Sequence, residues 1–130
     1  MKRIALGLVV GFALLFCGVG SSYADAVGDY RHGAAAYGQK DYKQAVYWLR
    51  KAAEQGDASA QYNLGGMYVK GQGVIKDIVY AYMWWNLASA NVDNHAVKNR
   101  EIAETRMTSA QIAEAQKLAR ECVRKKYKGC

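Results

Sequence analysis

Small and aromatic residues recur along the middle of the chain with a period of 36 residues. Within each copy they are spaced i, i+3 and i+7, which places them on one face of an α-helix with small residues beside a large one. The matched positions are Asp41, Ala45, Trp48 and Ala52 in the first copy and Asp77, Ala81, Trp84 and Ala88 in the second. A fixed period with matching residue types predicts a repeat protein, in which neighbouring units bury a shared core.

A second type of helix lies between the two copies, over residues 58–70. Ala60, Leu64 and Tyr68 recur at every fourth residue of this stretch, and Gly65 leaves a bare spot on which a crossing helix can rest. A glycine-rich turn, residues 71–74, then leads into the second copy. The pattern predicts an antiparallel pair made of a first helix, a turn and a second helix.

Twelve positions of this helix pair resemble the Sel1-like repeat, a relative of the tetratricopeptide repeat with a longer turn inside each unit. They are Ala60, Gln61, Leu64, Gly65, Tyr68, Gly71, Gly73, Val74, Asp77, Ala81, Trp84 and Ala88. The resemblance covers residues 34–120, although the first unit departs from the family in its shorter turn, residues 38–40. It implies an α-solenoid that serves as an adaptor or scaffold, and it implies no reaction.

The predicted fold class is all-α: a short α-solenoid of antiparallel helix pairs, Sel1-like and tetratricopeptide-like, closed by a C-terminal capping helix. Proline is absent from the sequence, so no residue of that kind interrupts a helix. The predicted units span residues 27–56 and 57–92, a degenerate third unit spans 93–107, and the capping helix spans 108–127. The helices of the first two units are expected over residues 27–38, 42–55, 58–70 and 78–90, and a third first-type helix is expected from about residue 94.

The first 24 residues have the pattern of a signal peptide. Lys2 and Arg3 precede an apolar run over residues 4–20, and the small residues Ser22 and Ala24 occupy the positions that a signal peptidase recognises before its cleavage site. We expect cleavage after Ala24 and a periplasmic or secreted product with no stable membrane insertion. An uncleaved anchor is the alternative, but the run is short and contains four glycines. Lipid attachment at Cys17 would need a small residue before that cysteine.

Once this segment is removed, the excess positive charge lies at the C-terminal end. Residues 25–130 carry a net charge of +5, whereas residues 25–116 are balanced. A basic tail can attract an acidic protein, a lipid headgroup or a nucleic acid. Export argues against a nucleic-acid partner, and cations that favour the negative end of a helix dipole are the simpler interpretation.

Two cysteines remain after the signal peptide, Cys122 and Cys130. In an oxidising compartment two thiols of a small exported domain usually form a disulfide. In a continuous helix their Cα atoms would be about 12 Å apart and could not bridge, so a disulfide requires the chain to reverse near Gly129. The pair resembles the disulfide of cysteine-rich Sel1-like proteins, members of which have been associated with binding β-lactams. Free or intermolecularly paired thiols are the alternative.

The sequence nominates no catalytic residue, no metal site and no cofactor. His32 and His95 do not have a metal-binding spacing. Glu101 and Glu104 share a helix face and are interpreted as solvated carboxylates. Two functional classes remain: a non-enzymatic module that presents a concave helical surface to a peptide or protein, and a small-ligand binder or hydrolase acting on β-lactams or cell-wall fragments. The first is preferred, because a hydrolase needs a nucleophile and a base that converge.

The concave side of a stacked helix-pair solenoid is lined by the first helix of each pair. The solvent-facing side chains of residues 58–70 combine an aromatic ring, an amide and a cation, which suits a peptide. An offset of 31 residues, which aligns Tyr37 with Tyr68, extends this strip to the preceding first-type helix, and the 36-residue offset extends it to the following one. The predicted binding residues are Tyr62, Asn63, Gly66, Val69 and Lys70, with Arg31, His32, Lys98 and Asn99 as their equivalents.

Overall fold

The computed structural model describes the backbone of residues 7–91 and 93–130 and the side chains of residues 23–91 and 93–130. The predicted Lys2 and Arg3 start of the signal peptide lies outside the described residues. Six helices follow one another in the described part of the chain: α1 Gly7–Gly38, α2 Tyr42–Glu54, α3 Ala58–Lys70, α4 Ile78–Ala90, α5 Asn94–Glu104 and α6 Ser109–Arg124. Each helix from α1 to α5 packs against the next one along the chain, and α6 packs on α4, so the predicted all-α solenoid is confirmed.

Helices α3 and α4 have the predicted bounds, and α1 does not. The prediction started the first helix near Val27, whereas α1 begins at Gly7. Because the sequence before Val27 contains no proline, no residue there forces the helix to end. Among the described residues, no helix is both long enough and apolar enough to cross a membrane.

An aspartate begins each helix from α2 to α5. Its side chain accepts a hydrogen bond from a backbone amide in the first turn, where no helical partner exists. The acceptors and donors are Asp41 with Gln44, Asp57 with Ala60, Asp77 with Val79 and Tyr80, and Asp93 with Ala96. The repeated caps fix the start of each helix, and so they fix the register of one unit against the next.

Two glycines let the first helix of each pair approach the second closely. A Cβ atom on Gly33 would lie 2.6 Å from Leu49 Cγ, and a Cβ atom on Gly65 would overlap the indole of Trp85. Leu49 and Trp85 are 36 residues apart, so both units use the same contact. Trp85 is 5% exposed.

Trp84 lies on a different face of α4 and packs in the core that includes α2 and α6. It is fully buried, at 0% exposure. Its equivalent Trp48 is only half-buried and stacks beside His32, with ring centroids 4.8 Å apart.

A buried amide links the two well-formed units. Gln61 has no exposed surface, and its Nε2 donates to the Ala53 carbonyl at 3.2 Å. Asn91 Nδ2 donates to Gln61 Oε1 at 3.1 Å and lies 3.3 Å from the hydroxyl of Tyr127. Because a buried amide without partners is costly, this set of bonds specifies how α2, α3 and the end of α4 meet.

The C-terminal segment closes the solenoid over α4. Helix α6 begins with a capping box, in which Thr108 and Gln111 exchange side-chain and backbone hydrogen bonds. After α6 the chain reverses through left-handed conformations at Lys126 and Tyr127, followed by Gly129. A disulfide joins Cys122 and Cys130, whose Cα atoms are 5.7 Å apart.

The adjacent glycines Gly65 and Gly66 provide a matched test of the helix contact. We predict that Gly65→Ala lowers the free energy of unfolding by about 1–3 kcal/mol, because its methyl group overlaps the Trp85 indole. Gly66→Ala should raise that free energy by about 0.5–1 kcal/mol, because a Cβ at Gly66 meets no atom within 4 Å. Urea denaturation followed by circular dichroism measures both changes. Equal effects of the two substitutions would show that α3 does not rest on Trp85.

Candidate functional site

A cleft of about 420 Å³ lies on the side of the solenoid formed by α1, α3 and α5, with α4 beneath it. Its lining combines apolar, aromatic, amide and cationic side chains. They are Ala34, Tyr37, Tyr62, Asn63, Gly66, Met67, Val69, Lys70, Ile78, Trp85, Asn99, Ile102, Ala103 and Arg106. This is the concave side that the solenoid predicts, and its volume is in the range of small-ligand and peptide side-chain pockets.

The floor of the cleft is apolar and fixed in position. Met67, Trp85 and Ala103 are each at most 5% exposed. The Trp85 indole donates from Nε1 to the Tyr62 carbonyl at 3.1 Å, which holds the ring in one orientation between α4 and α3. Above the floor, the absent side chain of Gly66 leaves open space. An apolar group can therefore enter beside α3 without displacing a protein side chain.

The rim carries the polar groups. Asn63 Nδ2 lies 3.5 Å from the Tyr30 hydroxyl, a long hydrogen bond that a ligand can replace. Tyr37 donates its hydroxyl to Gln72 Oε1 at 3.2 Å and so forms a wall between α1 and the turn after α3. Ile102, 46% exposed, forms the opposite wall. The rim thus offers hydrogen-bonding groups beside an apolar floor.

The structure brings six of the nine predicted binding residues to this cleft. These six are Tyr62, Asn63, Gly66, Val69, Lys70 and Asn99. The other three, Arg31, His32 and Lys98, are exposed and do not line it. His32 instead stacks on Trp48, on the side facing α2. That the cleft residues bind a partner stays a prediction.

The misplacement of His32 comes from an offset that is one residue short. The turn between α1 and α2 has three residues and the turn between α3 and α4 has seven. First-type helices of the two units are therefore related by 36 minus 4, or 32 residues, and not by 31. The 32-residue offset pairs Gly33 with Gly65, Ala34 with Gly66, and Tyr37 with Val69. These pairs agree with the glycine contacts and with the cleft lining.

Sequence reasoning also missed two residues on the far side of the cleft. Ile102 and Arg106 both line it. They are the 36-residue equivalents of Gly66 and Lys70, so the offset already used for Asn99 would have found them. Lys98, the equivalent of Tyr62, lies on the exposed side of α5 instead.

Outside the cleft, Tyr82 and Glu104 form a hydrogen-bonded pair of titratable groups between α4 and α5. Burial raises the pKa of Tyr82 above its usual value, and the bond that its hydroxyl donates to Glu104 Oε1 at 2.7 Å adds to the rise. Glu104 therefore serves as an acceptor between α4 and α5. Within the described residues, no group of three or more His, Cys, Asp or Glu side chains is placed to hold a metal ion.

The chain is similar to a known repeat family and to proteins that contain it. The Sel1 repeat family model matches residues 23–57 and 58–93. The chain is 35% identical over 68 residues to the chitin synthase regulator SKT5 of Saccharomyces cerevisiae. The aligned segment covers 52% of this chain and 10% of that protein.

Among solved structures it is similar to c5321, described as a protective antigen present in uropathogenic Escherichia coli strains and displaying an SLR fold. The TM-score is 0.74 and the sequence identity is 37%, over 82% of this chain and 24% of that chain. The chain therefore spans a tenth of the curated relative and about a quarter of the solved structure.

Proposed function

The chain belongs to the Sel1 repeat family, and from this premise we propose that it is a periplasmic or secreted interaction module whose concave cleft holds a peptide segment of a partner protein. Repeats of this family generally mediate protein–protein interactions and are non-catalytic. The relatives are several times longer than this chain, so their partners are not transferred to it. The partner of this chain is proposed from the chemistry of its cleft.

The observation that carries the proposal is the composition and position of the cleft. It lies where three first-type helices meet, and it has a rigid apolar floor at Trp85 with amides on the rim at Asn63 and Asn99. An extended peptide exposes backbone N–H and C=O groups, with which side-chain amides can exchange hydrogen bonds. Its apolar side chains can be buried on the floor.

We further propose that the module is not an enzyme. Among the described residues that line the cleft there is no serine, threonine, cysteine, histidine, aspartate or glutamate, so no such nucleophile converges there with a neighbouring base. Turnover of the β-lactam nitrocefin in proportion to the concentration of purified protein would contradict this proposal.

The proposed location outside the cytoplasm is supported by the leader pattern and by the disulfide. We predict that protein expressed with its native N-terminus begins at Asp25 and has lost two hydrogen atoms, because Ala24 ends the signal peptide and Cys122 is bonded to Cys130. Intact-mass spectrometry before and after reduction measures both changes. Retained Met1, or two thiols that react in the denatured and unreduced protein, would contradict this location.

A leucine placed on the open side of α3 tests the cleft directly. Gly66→Leu should fill the space above Trp85 and reduce capture of partner proteins at least about tenfold, because it removes the site for an apolar side chain. Gly28→Leu is the matched control, since a Cβ at this helical glycine also meets no atom within 4 Å and Gly28 does not line the cleft. Both variants should keep the parental melting temperature or exceed it.

The measurement is quantitative mass spectrometry of proteins captured from a periplasmic extract by the parental protein and by each variant. The proposal predicts a set of proteins captured by the parent and by Gly28→Leu and lost with Gly66→Leu. Equal capture by all three would mean that the cleft is not the binding surface, and the basic tail from Arg120 to Lys128 would replace it.

A further inference from the structure

The charged residues that line the cleft are Lys70 and Arg106, and no aspartate or glutamate is among the described residues that line it. In the described part of the chain, neither cation makes an ion pair or a side-chain hydrogen bond. Two carboxylates beside α4 and α5 have other partners: Asp77 caps α4 and Glu104 accepts from Tyr82. The cleft therefore carries two uncompensated positive charges.

These two cations lie at the same end of the cleft. They are equivalent positions of adjacent units, 36 residues apart, at the end of α3 and just beyond the end of α5. Asn63 and Asn99 are equivalent in the same way and precede them by seven residues. At a rise of 1.5 Å per residue, Asn63 lies about 10 Å along α3 from Lys70. About three residues of extended peptide span this distance.

We propose that the cleft selects a peptide that carries a carboxylate, which is held by Lys70 and Arg106, with an apolar side chain within about three residues of it. This inference rests on the proposed function and names the chemistry of the partner. The apolar side chain lies over Trp85 in the space left by Gly66, and the peptide backbone meets Asn63 and Asn99. Charge-assisted hydrogen bonds of this kind are stronger than neutral ones, so the carboxylate supplies selectivity.

Both cations also lie at the C-terminal ends of helices, where a positive charge stabilises the helix without any ligand. A purely structural role predicts a lower melting temperature when they are neutralised, with no change in peptide preference. A role in ligand binding predicts that the peptide preference is lost when they are neutralised, while the melting temperature stays the same. The two roles therefore give different results in one pair of variants.

A synthetic octapeptide library tests the proposal, with each sequence made once with a free C-terminal carboxylate and once as the carboxamide. The library is selected on the parental protein and on Gly66→Leu in parallel. The tightest binder is then remade with each Asp changed to Asn and each Glu to Gln, and its affinity is measured by fluorescence anisotropy at low and high salt. Weaker binding of the C-terminal carboxamide identifies the terminal carboxylate as the bound group. Weaker binding of an Asn or Gln peptide identifies an acidic side chain.

We expect neutralising the critical carboxylate to weaken binding to the parent about tenfold, which corresponds to about 1.4 kcal/mol. The difference should shrink at high salt and disappear in the Lys70→Gln, Arg106→Gln variant. The matched control is Lys76→Gln with Lys98→Gln, which removes two exposed cations that do not line the cleft. This control should keep the full preference.

Peptides that depend on Gly66 but bind equally as acid and amide would overturn the carboxylate proposal and leave the proposed function standing. A preference that survives in the Lys70→Gln, Arg106→Gln variant would overturn it equally. If no peptide binds the parent better than Gly66→Leu, the proposed function itself is wrong.

Discussion

The contact between Gly65 and Trp85 is the constraint on which the second repeat unit and the cleft both depend. Because Gly65 has no Cβ, α3 can rest directly on the indole ring, and the indole N–H then reaches the Tyr62 carbonyl of the same helix. One side chain therefore sets the separation of the two helices, their rotation and the floor of the cleft. The neighbouring Gly66 is turned by about 100° around the helix and faces open space, so a pair of adjacent glycines marks a buried and an open part of the α3 surface.

The same contact in the first unit is made by Gly33 and Leu49, with a smaller side chain. Leucine does not extend as far as an indole, and the first unit contributes a wall to the cleft, through Ala34 and Tyr37, and no residue of its floor. Its outer side differs as well. Trp48 is half-buried under His32, whereas the equivalent Trp84 is enclosed by the preceding unit. A terminal unit has no neighbour on one side, so its outer positions meet solvent.

Periodicity was sufficient to predict helices α2 to α5, because proline is absent and each of them has an aspartate cap, and it missed the start of α1. It was also sufficient for five of the six α3 residues that line the cleft, which follow from one helix and its solvent-facing side, and it missed Met67, which belongs to the buried floor. It failed on α1 because the transfer of a binding strip between helices depends on the length of the turns. An error of one residue rotates a helix by about 100°. With the corrected offset His32 is the equivalent of the buried Leu64 and not of the cleft residue Asn63. The offset does not account for Arg31, which is the equivalent of Asn63 and does not line the cleft. The anchoring of the Trp85 indole was not predictable, since it requires the orientation of the ring.

Three tryptophans report on three separate places in this molecule, and their indole N–H signals test whether the concave cleft is the binding surface. Trp85 forms the floor of the cleft, Trp84 lies in the core, and Trp48 lies beside His32 away from the cleft. In a nitrogen-15 NMR titration with the tightest-binding octapeptide, the indole N–H signal of Trp85 should shift until the site is saturated. The dissociation constant from this shift should equal the one from fluorescence anisotropy. The signals of Trp48 and Trp84 should not shift. Saturable binding that moves the Trp48 signal, or that leaves Trp85 unchanged, would contradict the assignment of the cleft.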